Sequence, residues 1–107
     1  MSDFYILIEG RVRQVPLLEW AKWFEEHSDE RRVAYDVVPW AVISTVFLGI
    51  DHSFGFGQKQ IFETMVFSRR GHHKAYDQYT RRYGTLRKAR VGHSEVLKLV
   101  GDLRVVK

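Results

Sequence analysis

Residues 42–67 read VISTVFLGIDHSFGFGQKQIFETMVF, two apolar runs rich in β-branched residues, 42–50 and 61–67, joined by a polar, glycine-bearing loop that begins at Asp51-His52. In the first run Val42, Val46, Leu48 and Ile50 fall on one side and Ile43, Phe47 and Gly49 on the other. This is the pattern of a central strand covered on both faces, or nearly so. The second run carries Glu63 and Thr64 as its polar interior members. Antiparallel pairing of the two runs sets Glu63 opposite about Leu48, and the glycines between them supply positive φ for a hairpin loop.

Upstream, residues 32–38 alternate Val33, Tyr35 and Val37 against Ala34, Asp36 and Val38, the signature of a half-exposed strand. Pro39-Trp40 then makes the turn into the central strand. Nearer the start, the apolar run 4–8, the pair Glu9-Gly10, and Val12 with Val15 read as a hairpin turning near Gly10, its first strand entering the sheet. Pro16 opens a helix at no hydrogen-bond cost. Its stripe is Leu17, Trp20, Ala21 and Phe24, with Glu19, Lys22, Glu25 and Glu26 turned to water. Trp23 lies off that stripe, packed sideways against the sheet or anchoring a partner.

Downstream, SRRGHHK at 68–74 lacks apolar residues and reads as a surface loop. A short edge strand follows near 79–83, and Thr85 is the N-cap of a final helix. That helix buries Leu86, Ala89, His93, Val96, Leu97 and Val100, and it stops at Gly101. Gly92 inside it marks the close approach of another backbone. The sum is an α+β fold, an antiparallel sheet of about five strands with two helices packed on one face, in one domain spanning 1–107.

Composition narrows the function classes. There is no cysteine, so disulfide frameworks and thiolate metal sites are excluded and a reducing cytoplasm is the expected home. The opening MSDFYILIEG has no basic lead, and no apolar run approaches the roughly 18 residues of a membrane span. Charge is divided unevenly: residues 1–53 hold five Lys and Arg against nine Asp and Glu, residues 54–107 twelve against four. A basic half of this kind points to an acidic partner, nucleic acid or protein, or is a solvated surface whose two signs attract within the fold; with no spanning run, no membrane partner is expected.

Two sets of candidate residues follow. The first is the basic and aromatic group Arg69, Arg70, Lys74, Tyr79, Arg81, Arg82, Arg87, Lys88 and Arg90, a contact surface for an acidic macromolecule; Tyr76, Tyr79 and Tyr83 would stack on bases if that partner were nucleic acid. The second is Asp51, His52, Glu63 and His93. Two histidines with a carboxylate suffice for a three-ligand metal site that activates water, the basis of an alternative reading as a small metal-dependent hydrolase. None of their spacings is a known metal signature. The competing reading has His93 bonded to a carboxylate or carbonyl in the core, Glu63 paired with an arginine or on an edge face, and Asp51 closing its turn through an Asx bond. No cofactor is implied. His72-His73 reads as a solvated pair beside Arg69, Arg70 and Lys74. The glycines of GIDHSFGFG join strand to strand, without the helix N-terminus that a phosphate cradle needs.

The segments STVFLGIDHSFG, FETMVF and YTRRYGT, with Ala89 and Gly92-His93, resemble the recurring signature of a family of small, uncharacterised phage and bacterial proteins. That family runs FLGxDH, FETM(V/I)F, RYxT and AxxGH in order, after an LLEWAxWFE-like helix and an RRVA strand. The resemblance covers nearly the whole chain and implies no activity. It differs at Gln58-Lys59, where a proline pair is usual, and in the basic stretch and helix start, where relatives tend to be acidic. The expected function is therefore that of a small phage-type accessory protein, acting in the host cytoplasm if phage-encoded. It would bind a host or defence protein, or nucleic acid, without catalysis. Trp23 and the strand at 32–38 also offer surfaces for a homodimer.

Overall fold

The computed structural model of the chain describes residues 3–68 and 79–101. In chain order the elements are β1 (Phe4–Ile8), β2 (Arg11–Val15), α1 (Leu17–Glu26), β3 (Arg32–Val38), β4 (Ala41–Phe47), β5 (Phe62–Ser68), β6 (Thr80–Tyr83) and α2 (Leu86–Gly101). The fold is α+β with antiparallel strand pairs, but the strands form two sheets rather than one of five: β1-β2 and β3-β4-β5-β6.

The division has a local cause. After Phe47 the chain leaves the β4-β5 ladder, and Gly49 takes a left-handed φ of 77°. A side chain there would run into the Trp20 indole and the Tyr5 carbonyl. The β1-β2 hairpin attaches to this bent segment, through Tyr5 N–H to the Gly49 carbonyl (2.8 Å) and Asp51 N–H to the Asp3 carbonyl (3.0 Å). Among the described residues its strand pairing there is a single bridge, Phe4 to Ile50.

Strict alternation governs β4. Ala41, Ile43, Thr45 and Phe47 are buried, while Val42, Ser44 and Val46 between them are half-buried. Directly opposed residues share a face, so the register Ile43↔Val66, Thr45↔Thr64 and Phe47↔Phe62 carries the inner face across to β5. Helix α2 covers this face, packing on β3, β4, β5 and β6. The outer face is not covered as the sequence suggested: Tyr35, Val37 and Phe67 stand 48%, 53% and 45% exposed.

The apolar core falls into two clusters. One holds Ile6, Val15, Trp23, Phe47, Ile61, Phe62 and Ala89, the other Ala41, Ile43, Val66, Val96 and Val100. Helix α1 is rotated from the expected stripe. Leu17 is 52% exposed, and Trp23 is the buried residue of the helix. Its indole meets Phe47 edge-on at 5.6 Å and stacks on His27 at 5.1 Å, while Trp20 packs between Phe4 and Phe24. The face that docks is therefore Trp20, Trp23, Phe24 and His27, where the largest apolar area lies. Burial of aromatic area outweighs that of Leu17 and Ala21. At the far end Trp40 Nε1–H donates to the Val100 carbonyl at 3.1 Å, fixing α2 to the β3-β4 turn.

Candidate functional site

Between the two apolar clusters the α2-sheet interface is crossed by a belt of polar side chains. Thr45 and Thr64 face each other across β4 and β5, both with no exposed surface, and their hydroxyls are hydrogen-bonded together. His93 of α2 sits above them, its Nδ1 2.7 Å from Thr45 Oγ1 and its Nε2 2.7 Å from Asp36 Oδ2. From the other side Tyr83 donates its hydroxyl to Thr64 Oγ1 at 3.0 Å. A carboxylate oxygen only accepts, so Nε2 carries a proton. In the neutral ring Nδ1 then accepts from Thr45, and one direction runs through the belt: Tyr83 to Thr64, Thr64 to Thr45, Thr45 to His93, His93 to Asp36. The two threonine hydroxyls each both donate and accept, as a buried polar group requires.

A carboxylate, an imidazole and a hydroxyl in sequence resemble a nucleophilic triad, but Thr45 has no surface for a substrate to reach. Its hydroxyl is already engaged by Thr64 and His93. The arrangement ties α2 to β3, β4, β5 and β6, and Asp36 keeps 47% of its side chain in water so that its charge stays hydrated. Gly92 lies against the Tyr83 ring, which fills the space a Cβ would need. The close neighbour of that glycine is a side chain, not a backbone. Burial pushes the Tyr83 phenol above its ordinary value.

The four residues proposed for a metal do not gather. Glu63 pairs with Val46, not Leu48, and so lies on the outer face of the sheet, bonded to Arg82 at 3.1 Å. His93 is on the inner face. Asp51 closes its turn, accepting from the amides of Ser53 (2.8 Å) and Gln60 (2.9 Å). Burial opposes its charge, but those two amides outweigh burial and hold the carboxyl below its ordinary value. His52 meets the Phe54 ring edge-on at 6.2 Å. Among the described residues no group of three or more His, Asp or Glu is placed to hold a metal ion.

The basic set is also divided. Arg69, Arg70, Lys74, Tyr76 and His72-His73 lie outside the described residues. Adjacent residues of β6 point to opposite faces: Arg81 turns inward to Tyr79 (3.0 Å) and Glu95 (3.0 Å), Arg82 outward to Glu63. The Tyr79 hydrogen bond, chiefly, raises the Arg81 guanidinium further above its ordinary value. Arg90 lines a recess with Glu9 and Glu30. Arg87 and Lys88 line a groove of about 530 Å³ between β6 and the start of α2, with Tyr83, Thr85, Val91, Gly92 and Glu95. Thr85 caps the helix there, accepting from the Lys88 amide at 3.1 Å.

A second recess of about 280 Å³ adjoins this groove and shares Tyr83 and Lys88 with it; Phe56, Lys59 and Arg82 line its outer part. It is the edge of the loop between β4 and β5. Within that loop Phe56 N–H donates to the Ser53 carbonyl (3.0 Å) and His52 N–H to the Gln60 carbonyl (3.0 Å). The Phe54 and Phe56 rings are 79% and 83% exposed, and Phe54 adopts a left-handed φ of 53°, a conformation bulky residues rarely take. Compared with known proteins, the chain matches no family model, no curated protein and no solved structure.

Sequence reasoning missed Thr45, Asp36 and the two exposed phenylalanines. The first had a legible signal, a hydroxyl inside an apolar run, and sits level with Thr64 once the hairpin register is set.

Proposed function

We propose that the chain is a non-catalytic binding module, a small accessory protein of phage type, that engages an acidic macromolecule through the groove between β6 and α2. The observation that carries this reading is the charge at the joined recesses. Lys59, Arg87 and Lys88 stand around them, while Glu95, which lines the groove, is paired with Arg81. Cations gathered around a concave surface would concentrate an anionic partner there, which supports this reading. The buried belt beneath supplies rigidity, since its hydroxyls are enclosed and bonded to each other.

Salt-gradient elution from immobilised heparin tests the reading with a generic polyanion. The wild-type chain should be retained, and the double variant Arg87→Glu/Lys88→Glu should elute at clearly lower salt. Equal elution of the two would remove the groove as the anionic contact.

A further inference from the structure

The loop between β4 and β5 has features that a charged groove alone does not require. It presents two aromatic rings to water, 79% and 83% exposed, separated by one glycine. Phe54 holds its left-handed φ of 53°, followed by Gly55 at 84° and Gly57 at 73°. Strain of this kind at a bulky side chain points to a conformation kept for contact with something outside the fold. The loop is also braced. The Asp51 carboxylate bonds the amides of Ser53 and Gln60, one at each end of the segment.

We propose that this loop is a stacking platform for single-stranded nucleic acid, with bases against Phe54 and Phe56 and the phosphate chain following Lys59, Lys88 and Arg87 along the groove. The proposal rests on the binding reading above and names its partner class. Aromatic faces accept any base, and a cationic track beside them holds the backbone, the combination by which single strands are bound without sequence readout. Phe56 lines the recess that shares Tyr83 and Lys88 with the groove, so stacking and charge lie on one continuous surface. A duplex hides its base faces and would leave the rings without partners. A flat lipid surface would meet the rings but not the concave groove. The exposed Leu17 and Leu18 of α1 lack this setting, their neighbour being Glu19.

Fluorescence anisotropy with a labelled oligothymidylate, a duplex of the same length, and vesicles of phosphatidylserine and phosphatidylcholine tests this on the full chain. Wild type should bind the single strand more tightly than the duplex at low salt. Phe54→Ala/Phe56→Ala should weaken single-strand binding roughly tenfold or more and leave the salt dependence unchanged. Arg87→Glu/Lys88→Glu should weaken binding and flatten the salt dependence. If the phenylalanine variant binds the single strand as wild type does while the charge variant does not, the stacking platform falls and the binding module stands. Equal or tighter binding of duplex or vesicles also overturns the platform. If the wild type binds neither strand, nor heparin, both proposals fall. Both phenylalanines are solvent-exposed, so circular dichroism of their variant should match wild type.

Discussion

The chain inverts the usual distribution of polarity in two places. Between sheet and α2, Thr45, Thr64 and His93 are polar and buried; on the loop between β4 and β5, Phe54 and Phe56 are apolar and exposed. In the first place every buried hydroxyl and ring nitrogen has a partner. In the second the apolar rings have open solvent, and Phe56 shares its recess with Lys59 and Lys88. A satisfied polar interior is a structural device, because nothing in it is left to react. Uncovered aromatics on a braced and strained loop have no such internal partners, and it is on them that the proposed stacking platform rests.

The sharpest way to break this contrast is at its buried end. His93→Ala removes both bonds of the imidazole and opens a cavity beneath α2, and should cost about 3 kcal/mol in urea denaturation. A loss below about 1 kcal/mol would mean that the belt contributes little to the fold. Tyr83→Phe removes only the outermost donor and should cost about 1 kcal/mol. Because burial holds the Tyr83 phenol above its ordinary value, the neutral side chain contributes fully below about pH 10, and that contribution is lost as the pH rises beyond it. The variant should lack this alkaline loss.

At the exposed end the effects are smaller. Asp51→Ala unties the loop from its two amides and should cost about 1 kcal/mol, its partial exposure keeping the figure low. The carboxyl is held below its ordinary value, so its contribution is complete above about pH 4 and disappears as the pH falls through the lower folded value. Melting curves of wild type and variant should therefore converge in acid. Phe54→Gly relieves the left-handed backbone at a position whose ring is 79% exposed and loses little beyond its edge-on contact with His52. A gain of about 0.5 kcal/mol is expected, relief of strain outweighing the added freedom of the unfolded chain. A loss of more than about 1 kcal/mol would show that the ring is packed rather than presented.

Much of the scaffold was legible in the chain. The period-two runs around residues 42–67 identified β4 and β5, Pro16 and Thr85 marked both helix starts, and the satisfied alternatives for His93, Glu63 and Asp51 describe where those residues lie. What was not legible depended on direction in space. The stripe of α1 was drawn through Leu17 and Ala21, but Trp23 supplies more area and turns the helix toward Phe47. The hairpin looked like a member of the sheet because period-two patterning cannot say which ladder a strand joins. Gly49 decided that, through one left-handed backbone angle. The partner of His93 was out of reach for the same reason, since Asp36 lies 57 positions away and meets it only after β3 and α2 have packed.

Strand β6 holds one further consequence. Arg81 and Arg82 are identical neighbours in the chain, yet the pleat sends one to Glu95 on the exposed side of the helix and the other to Glu63 on the far face of the sheet. Evolution can therefore tune the two separately: a change at the first touches an exposed link between strand and helix, and a change at the second also removes the counter-charge of the largely buried Glu63. The twin arginines are two separate instruments despite being a single word in the sequence.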